Sequence, residues 1–246
     1  LGKTIEDDAA ALLPLLNTAL LGDLTASLLH EINNPITAIL NYARLLQMRH
    51  FQPEEAEEFA KSIVAEGERI AELANRLTPL ARPTSFANAG ARLQEALSLA
   101  LSLYKTRFRY DGIIVESQPD PNLPATQFSL PGLMQLILPL LELARQALNA
   151  RIVAPATNKI LRCYLSAANG EENNAQRLTL IHNGMLQSGA DLTLFRHLFK
   201  NAASEMQMRW AATITQALLA QLNCKIAAEQ QAEGWTAIHL NLPAQK

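Results

Sequence analysis

A chain of 246 residues that is 49% apolar and 18% charged, with a formal charge of −2, has material for one large core or two modest ones. The near-neutral balance gives no electrostatic case for nucleic acid or an anionic membrane, and no apolar run reaches the roughly 18 residues of a membrane span. The charged fraction lies below the roughly 25% usual for soluble domains, which points to apolar surface committed to an interface.

In chain order, apolar residues recur at helical spacing from about Leu15 to Arg49, within which "SLLHEINNPITAILNYARLL" (Ser27–Leu46) carries a proline, Pro35. On a wheel of about 100° per residue, Thr25, Ile32, Ile36, Ile39, Ala43 and Leu46 share roughly 80° of arc. Asp23, Ser27, His30, Asn34, Thr37 and Asn41 gather on the opposite side, so His30 points away from the apolar seam. Asn34 follows one turn later on the same face. After "HFQPEE", a second helix is expected over Glu54–Arg82, with Phe59, Ile63, Ile70, Leu73 and Leu77 on one face and Pro53 at its start. The prolines of "LTPLARPTSF" mark a linker. Two helices joined this closely form a hairpin with no core of its own, and pairing two copies into a four-helix bundle supplies one.

Beyond Pro83 the texture changes, which divides the chain into 1–83 and 84–246. "ARLQEALSLALSLYKTRF" reads as a helix, "GIIVESQPD" as a strand and "PGLMQLILPLLELARQALNAR" as a buried helix. "KILRCYLSAA" and "RLTLIHNG" read as strands, and "WAATITQALLAQLNC" as a helix. "KIAAEQQAEGWTAIHLNLP" closes the chain as a hairpin turning near Glu233-Gly234. The fold class is therefore α+β: a helical hairpin forming a dimeric bundle, then an α/β sandwich with a mixed sheet. Cys163 and Cys224 lack metal-ligand spacing and read as reduced thiols of a cytoplasmic protein, and no metal site is expected. The start at Leu1 leaves room upstream for a sensor or membrane segment.

The polar face of the first helix suits phosphoryl transfer. An exposed imidazole is largely neutral at cellular pH, so a ring nitrogen can attack phosphorus, and the neighbouring Glu31 carboxylate can accept the proton. "HEINNPI", His30–Ile36, closely resembles the phosphoacceptor box of sensor histidine kinases, and the order hairpin, linker, α/β domain extends the resemblance over nearly the whole chain. The family implies a homodimeric bundle, His30 as phosphoacceptor, Glu31 as acid/base and Asn34 as the residue that assists dephosphorylation of a response regulator. It also implies a second domain of the histidine-kinase ATPase type.

In that second domain the sequence departs from the family. "QLILPLLELARQAL" (Gln135–Leu148) places Pro139 and Leu143 where the family has asparagines, the second of which reaches Mg²⁺ through oxygen. "LTLIHNGML" puts His182 where an aspartate receives the adenine amino group; Gly184 is kept and Leu186 replaces a second glycine. Phe195 and Phe199 match family phenylalanines, but Arg209 and Ala211 stand in place of glycines that cradle phosphates. Trp210 and Trp235 read as core or interface aromatics. The expectation is phosphoryl exchange through His30 with a receiver-domain aspartate, with no cofactor. The alternatives are an autokinase using ATP and Mg²⁺ at a divergent site, and a pseudokinase scaffold.

Overall fold

The computed structural model describes residues 29, 31–48, 52–81, 90–150, 158–168, 175–184, 219, 222–231 and 235–243. They form two compact units, one within Leu21–Pro83 and one from Thr84 onward.

The first unit holds two helices, α1 over 31–47 and α2 over Pro53–Ala81. Pro53 opens α2, where its missing N–H costs nothing, and Glu54 and Glu55 place negative charge at the positive end of the helix dipole. Helix α1 runs through Pro35, which is buried, and α2 runs through Pro79. The expected faces are largely realised. Phe59, Ile63, Ile70 and Leu77 are half-buried, Leu73 is buried, and Phe59 stacks on Tyr42 with ring centroids 5.9 Å apart. Asn34, Thr37 and Asn41 are exposed on the opposite face of α1. Ile36, expected in the seam, is 39% exposed, because one copy of a two-helix hairpin covers only part of each apolar stripe.

The second unit is a two-layer sandwich. Helix α3 (Leu93–Tyr110) ends where Asp111 and Gly112 donate to the carbonyls of Arg107 and Arg109, and Gly112 takes φ +68°, the left-handed conformation suited to glycine, before β1 (Ile113–Gln118) begins. Ser129 caps α4 (Leu130–Ala150) by accepting from the Gly132 N–H, and Pro131 lies in its first turn. Strands β2 (Lys159–Ala167), β3 (Gln176–His182), β4 (Lys225–Gln230) and β5 (Thr236–Leu242) complete a five-stranded sheet of order β1-β2-β3-β5-β4. The β1–β2 pair is parallel and the others are antiparallel, the mixed sheet expected from the sequence.

One face of the sheet carries the core: Leu161, Cys163, Leu165, Leu178, Leu180 and Ile238 are buried, with α4 packed over β2 and β3 and α3 over β1 and α4. Helix α4 is apolar nearly all round, and every residue from Gly132 to Ala144 is buried, Pro139 included. Cys163 and Cys224 are free, buried thiols whose pKa values burial pushes up to about 12, so they are poor nucleophiles. Among the described residues no helix is long and apolar enough to cross a membrane, and no cluster of His, Cys, Asp and Glu is arranged to hold a metal. The turn at Glu233-Gly234, most of the helix expected over Trp210–Cys224, and the positions Leu186, Phe195, Phe199, Arg209, Trp210 and Ala211 lie outside the described residues.

Candidate functional site

Two groups of residues bear on chemistry, one in each unit. In the first unit His30 itself lies outside the described residues, while Glu31 and Asn34, which follow it on α1, are described. Glu31 is half-buried, and its Oε1 is enclosed without a hydrogen-bond donor among the described residues. A carboxylate oxygen in that condition is available to accept a proton or hold the tautomer of a neighbouring imidazole. Asn34 is exposed at the head of a polar stripe with Asn33, Thr37 and Asn41. Thr37 Oγ1 donates to the Asn33 carbonyl at 2.8 Å, which satisfies the hydroxyl locally and leaves the Asn34 amide turned to solvent. Pro35 has no N–H to give the Glu31 carbonyl, so the helical ladder is short of one bond beside this stripe.

In the second unit, Leu143, His182 and Gly184 occupy the middle of α4 and the end of β3. Leu143 is fully enclosed and is hydrocarbon throughout, so it offers no oxygen to a hard cation. His182 is fully enclosed too; its Nδ1 accepts the Gly184 N–H at 3.2 Å, and its Nε2 has no partner among the described residues. Burial lowers the imidazole pKa to about 4, so the ring is neutral and, with Nδ1 accepting, carries its proton on Nε2. This position therefore presents an N–H donor in place of a carboxylate acceptor, which is the wrong polarity for an exocyclic amino group. Leu143 thus brings no oxygen ligand and His182 no carboxylate to these two positions.

Gly184 has a second reason to be glycine. A Cβ there would stand 2.6 Å from the Ala147 carbonyl carbon and 2.7 Å from the Leu148 nitrogen, so the end of β3 lies backbone against backbone on α4. Three further bonds hold this corner. Asn183 accepts the Ile160 N–H at 2.9 Å and donates to the Asn158 carbonyl at 2.8 Å, and Thr236 Oγ1 donates to the Gly184 carbonyl at 3.2 Å. Periodicity does not single out Asn183; an amide just past a strand is its only trace in the sequence. Trp235, read as a core or interface aromatic, is half-buried beneath the Arg162 guanidinium, 4.7 Å from its ring centroid.

Reading by motif also passes over a charged cluster on α4. Arg145 donates to Glu142 at 2.8 and 3.0 Å and to Asp111 at 2.6 Å, and Arg107 stands 3.6 Å from Glu142. These partners hold the Arg145 guanidinium well above its ordinary pKa, the hydrogen bond to Glu142 first among the causes. The spacing of Glu142 and Arg145 is a helical i,i+3 signal, but Asp111 is 34 positions away and has none.

Residues 20–86 match the family "His Kinase A (phospho-acceptor) domain". Over 106 residues, 42% of this chain, the sequence is 33% identical to the C4-dicarboxylate transport sensor protein DctB of Rhizobium meliloti (strain 1021), and the match spans 17% of that protein. Among solved structures, the Acinetobacter baumannii histidine kinase AdeS is similar over 88% of this chain and 98% of its own, at 13% identity and a TM-score of 0.45. Full-length ShkA in complex with AMPPNP is similar over 92% of this chain and 46% of its own, at 15% identity and a TM-score of 0.49.

Proposed function

From a chain of the sensor histidine kinase family, with a phospho-acceptor segment over 20–86, we propose a two-component signalling protein that moves phosphoryl groups through His30 without productive ATP binding of its own. Its partner is the receiver domain of a response regulator, and it works in the cytoplasm as a homodimer paired through the α1–α2 hairpin. In the forward step an imidazole nitrogen of His30 attacks the phosphorus of an aspartyl phosphate. The bond from phosphorus to the aspartate oxygen breaks with its electron pair, the aspartate leaves as carboxylate, and the imidazole proton passes to Glu31. The return step reverses these bonds. Asn34, exposed one turn past the histidine, orients a water or the partner's acidic residue.

One observation carries this reading: an intact "HEINNP" box is joined to a sandwich in which Leu143 supplies no oxygen and His182 supplies a donor. The box supports phosphotransfer over a mere scaffold, because a scaffold has no need of Glu31 and Asn34 beside His30. The two substituted positions support an external source of phosphate over an autokinase.

The test is labelling in two arms, wild type beside His30→Ala. Labelled phosphate is expected on the wild type from a phosphorylated receiver domain, none from ATP with Mg²⁺, and none on the alanine variant in either arm. Label from ATP on His30 would establish the autokinase instead. No label from either source, with regulator binding kept by the alanine variant, would leave a scaffold. Millimolar ATP with Mg²⁺ is expected to leave the melting temperature unmoved.

A further inference from the structure

The order of the sheet leaves β1 at one edge, with β2 as its sole strand partner among the described residues. The outward backbone N–H and C=O groups of Ile113–Gln118 therefore meet no other strand there. Natural edges are usually blunted by lysine, proline or a bulge. Strand β4 at the opposite edge opens with the exposed Lys225, but β1 reads "IIVESQ", with no such guard and with Ile114 46% exposed.

Beside this open edge lies a groove of 490 Å³. Leu101, Lys105, Phe108 and Arg109 of α3 form one wall, and Ile113 and Val115 of β1 the other. Its floor is apolar, and no acidic residue lines it among the described residues. Lys105 and Arg109 stand one helical turn apart, both exposed, and neither side chain has an ion-pair or hydrogen-bond partner among the described residues. Neighbouring cations differ: Arg107, Arg145 and Arg162 each face a carboxylate. The groove thus joins an unpaired strand edge, an apolar floor and two uncompensated positive charges.

We propose that β1 receives an extended, acidic segment of a partner protein as an additional strand. The backbone of the incoming segment pairs with the free edge, its apolar side chains lie against Leu101, Phe108 and Val115, and a carboxylate meets Lys105 and Arg109. A second copy of this chain is a poorer occupant. The one acid on β1, Glu116, is held by Arg162 at 2.7 Å, so pairing β1 with β1 would join two positive grooves with no acid to spare.

The experiment uses the full chain and, as probe, a short, end-capped fluorescent peptide alternating aspartate with valine, followed by fluorescence polarisation. The peptide is expected to bind, and its lysine-valine counterpart is not. Lys105→Glu with Arg109→Glu, both on solvent-exposed positions, is expected to weaken binding at least about tenfold with the melting temperature unchanged. N-methylation of alternate peptide residues removes the strand hydrogen bonds and is expected to weaken binding as much. The proposal is overturned by absence of binding up to millimolar peptide, by equal binding to the doubly substituted chain, or by indifference to N-methylation. It is equally overturned if the double substitution dissociates an oligomer, since a second copy would then cover the edge.

Discussion

His182 sits fully enclosed at the end of β3, with one ring nitrogen bonded to its own turn and the other without a partner among the described residues. Its imidazole titrates near pH 6.5 in the unfolded chain and near 4 in the folded one, because burial penalises the charged ring. Between those values the unfolded chain binds a proton that the folded chain refuses. The contribution of His182 to stability is therefore complete above about pH 6.5 and is lost as the pH falls toward about 4, a change of about 3 kcal/mol. Urea unfolding at about pH 7.5 and about pH 4.5 measures it: wild type is expected to lose more stability on acidification than His182→Leu does. Equal losses would mean that the ring protonates as readily in the folded chain. The sequence identifies the residue and its place after a strand, and it gives the structural use of such a histidine the greater weight. It does not report the enclosure that lowers the pKa, because that is set by α4 and β5, remote in the chain.

At the scale of elements, the helix layer is pinned to the sheet by charge as well as by packing. Arg145 on α4 reaches Asp111 at the end of α3, while Lys159 at the head of β2 donates to the Asp111 carbonyl and to Asn149. Glu142 is 6% exposed and depends on Arg145 and, at 3.6 Å, Arg107. Arg145→Leu leaves that carboxylate with Gln146 and the more distant Arg107, and is expected to cost about 3 kcal/mol in chemical denaturation. Replacing both residues with leucine removes the stranded charge, so the double variant is expected to be more stable than Arg145→Leu alone. A double variant that loses the sum of both single losses would show the pair to be stabilising in itself. The helices and strands of this unit are legible from periodicity. The buried apolar character of α4 is also visible in its run of leucines, which tolerates Pro139 because packing on all sides outweighs one missing backbone bond.

The two units differ in how complete they are as single molecules. The sandwich encloses a core of its own, whereas in the hairpin only Pro35 and Leu73 reach full burial among the described residues. Leu29, Leu40 and Val64 are 53%, 50% and 61% exposed, the condition of a helix pair that lacks its partner surface. The proposed homodimer follows from this deficit. Sedimentation equilibrium of the full chain is expected to give a dimer, and Leu40→Glu to shift it toward monomer with a lower melting temperature. A wild type that is monomeric at high concentration would remove the bundle from the proposal.

The sequence alone determined the division into hairpin and sandwich, the described helical faces and the mixed sheet, and it named His30, Glu31 and Asn34 as candidates. These features are written in local spacing: a period near 3.6, alternation by two, and a contiguous motif. Tertiary structure decided what long-range proximity creates. It enclosed His182 and Leu143, pressed Gly184 against Ala147, joined Asp111 to Arg145, and left the edge of β1 open beside Lys105 and Arg109. Spacing along a chain fixes which way each side chain turns from its own element. Which other element waits there is settled when the sheet orders its strands and the helices settle on one of its faces.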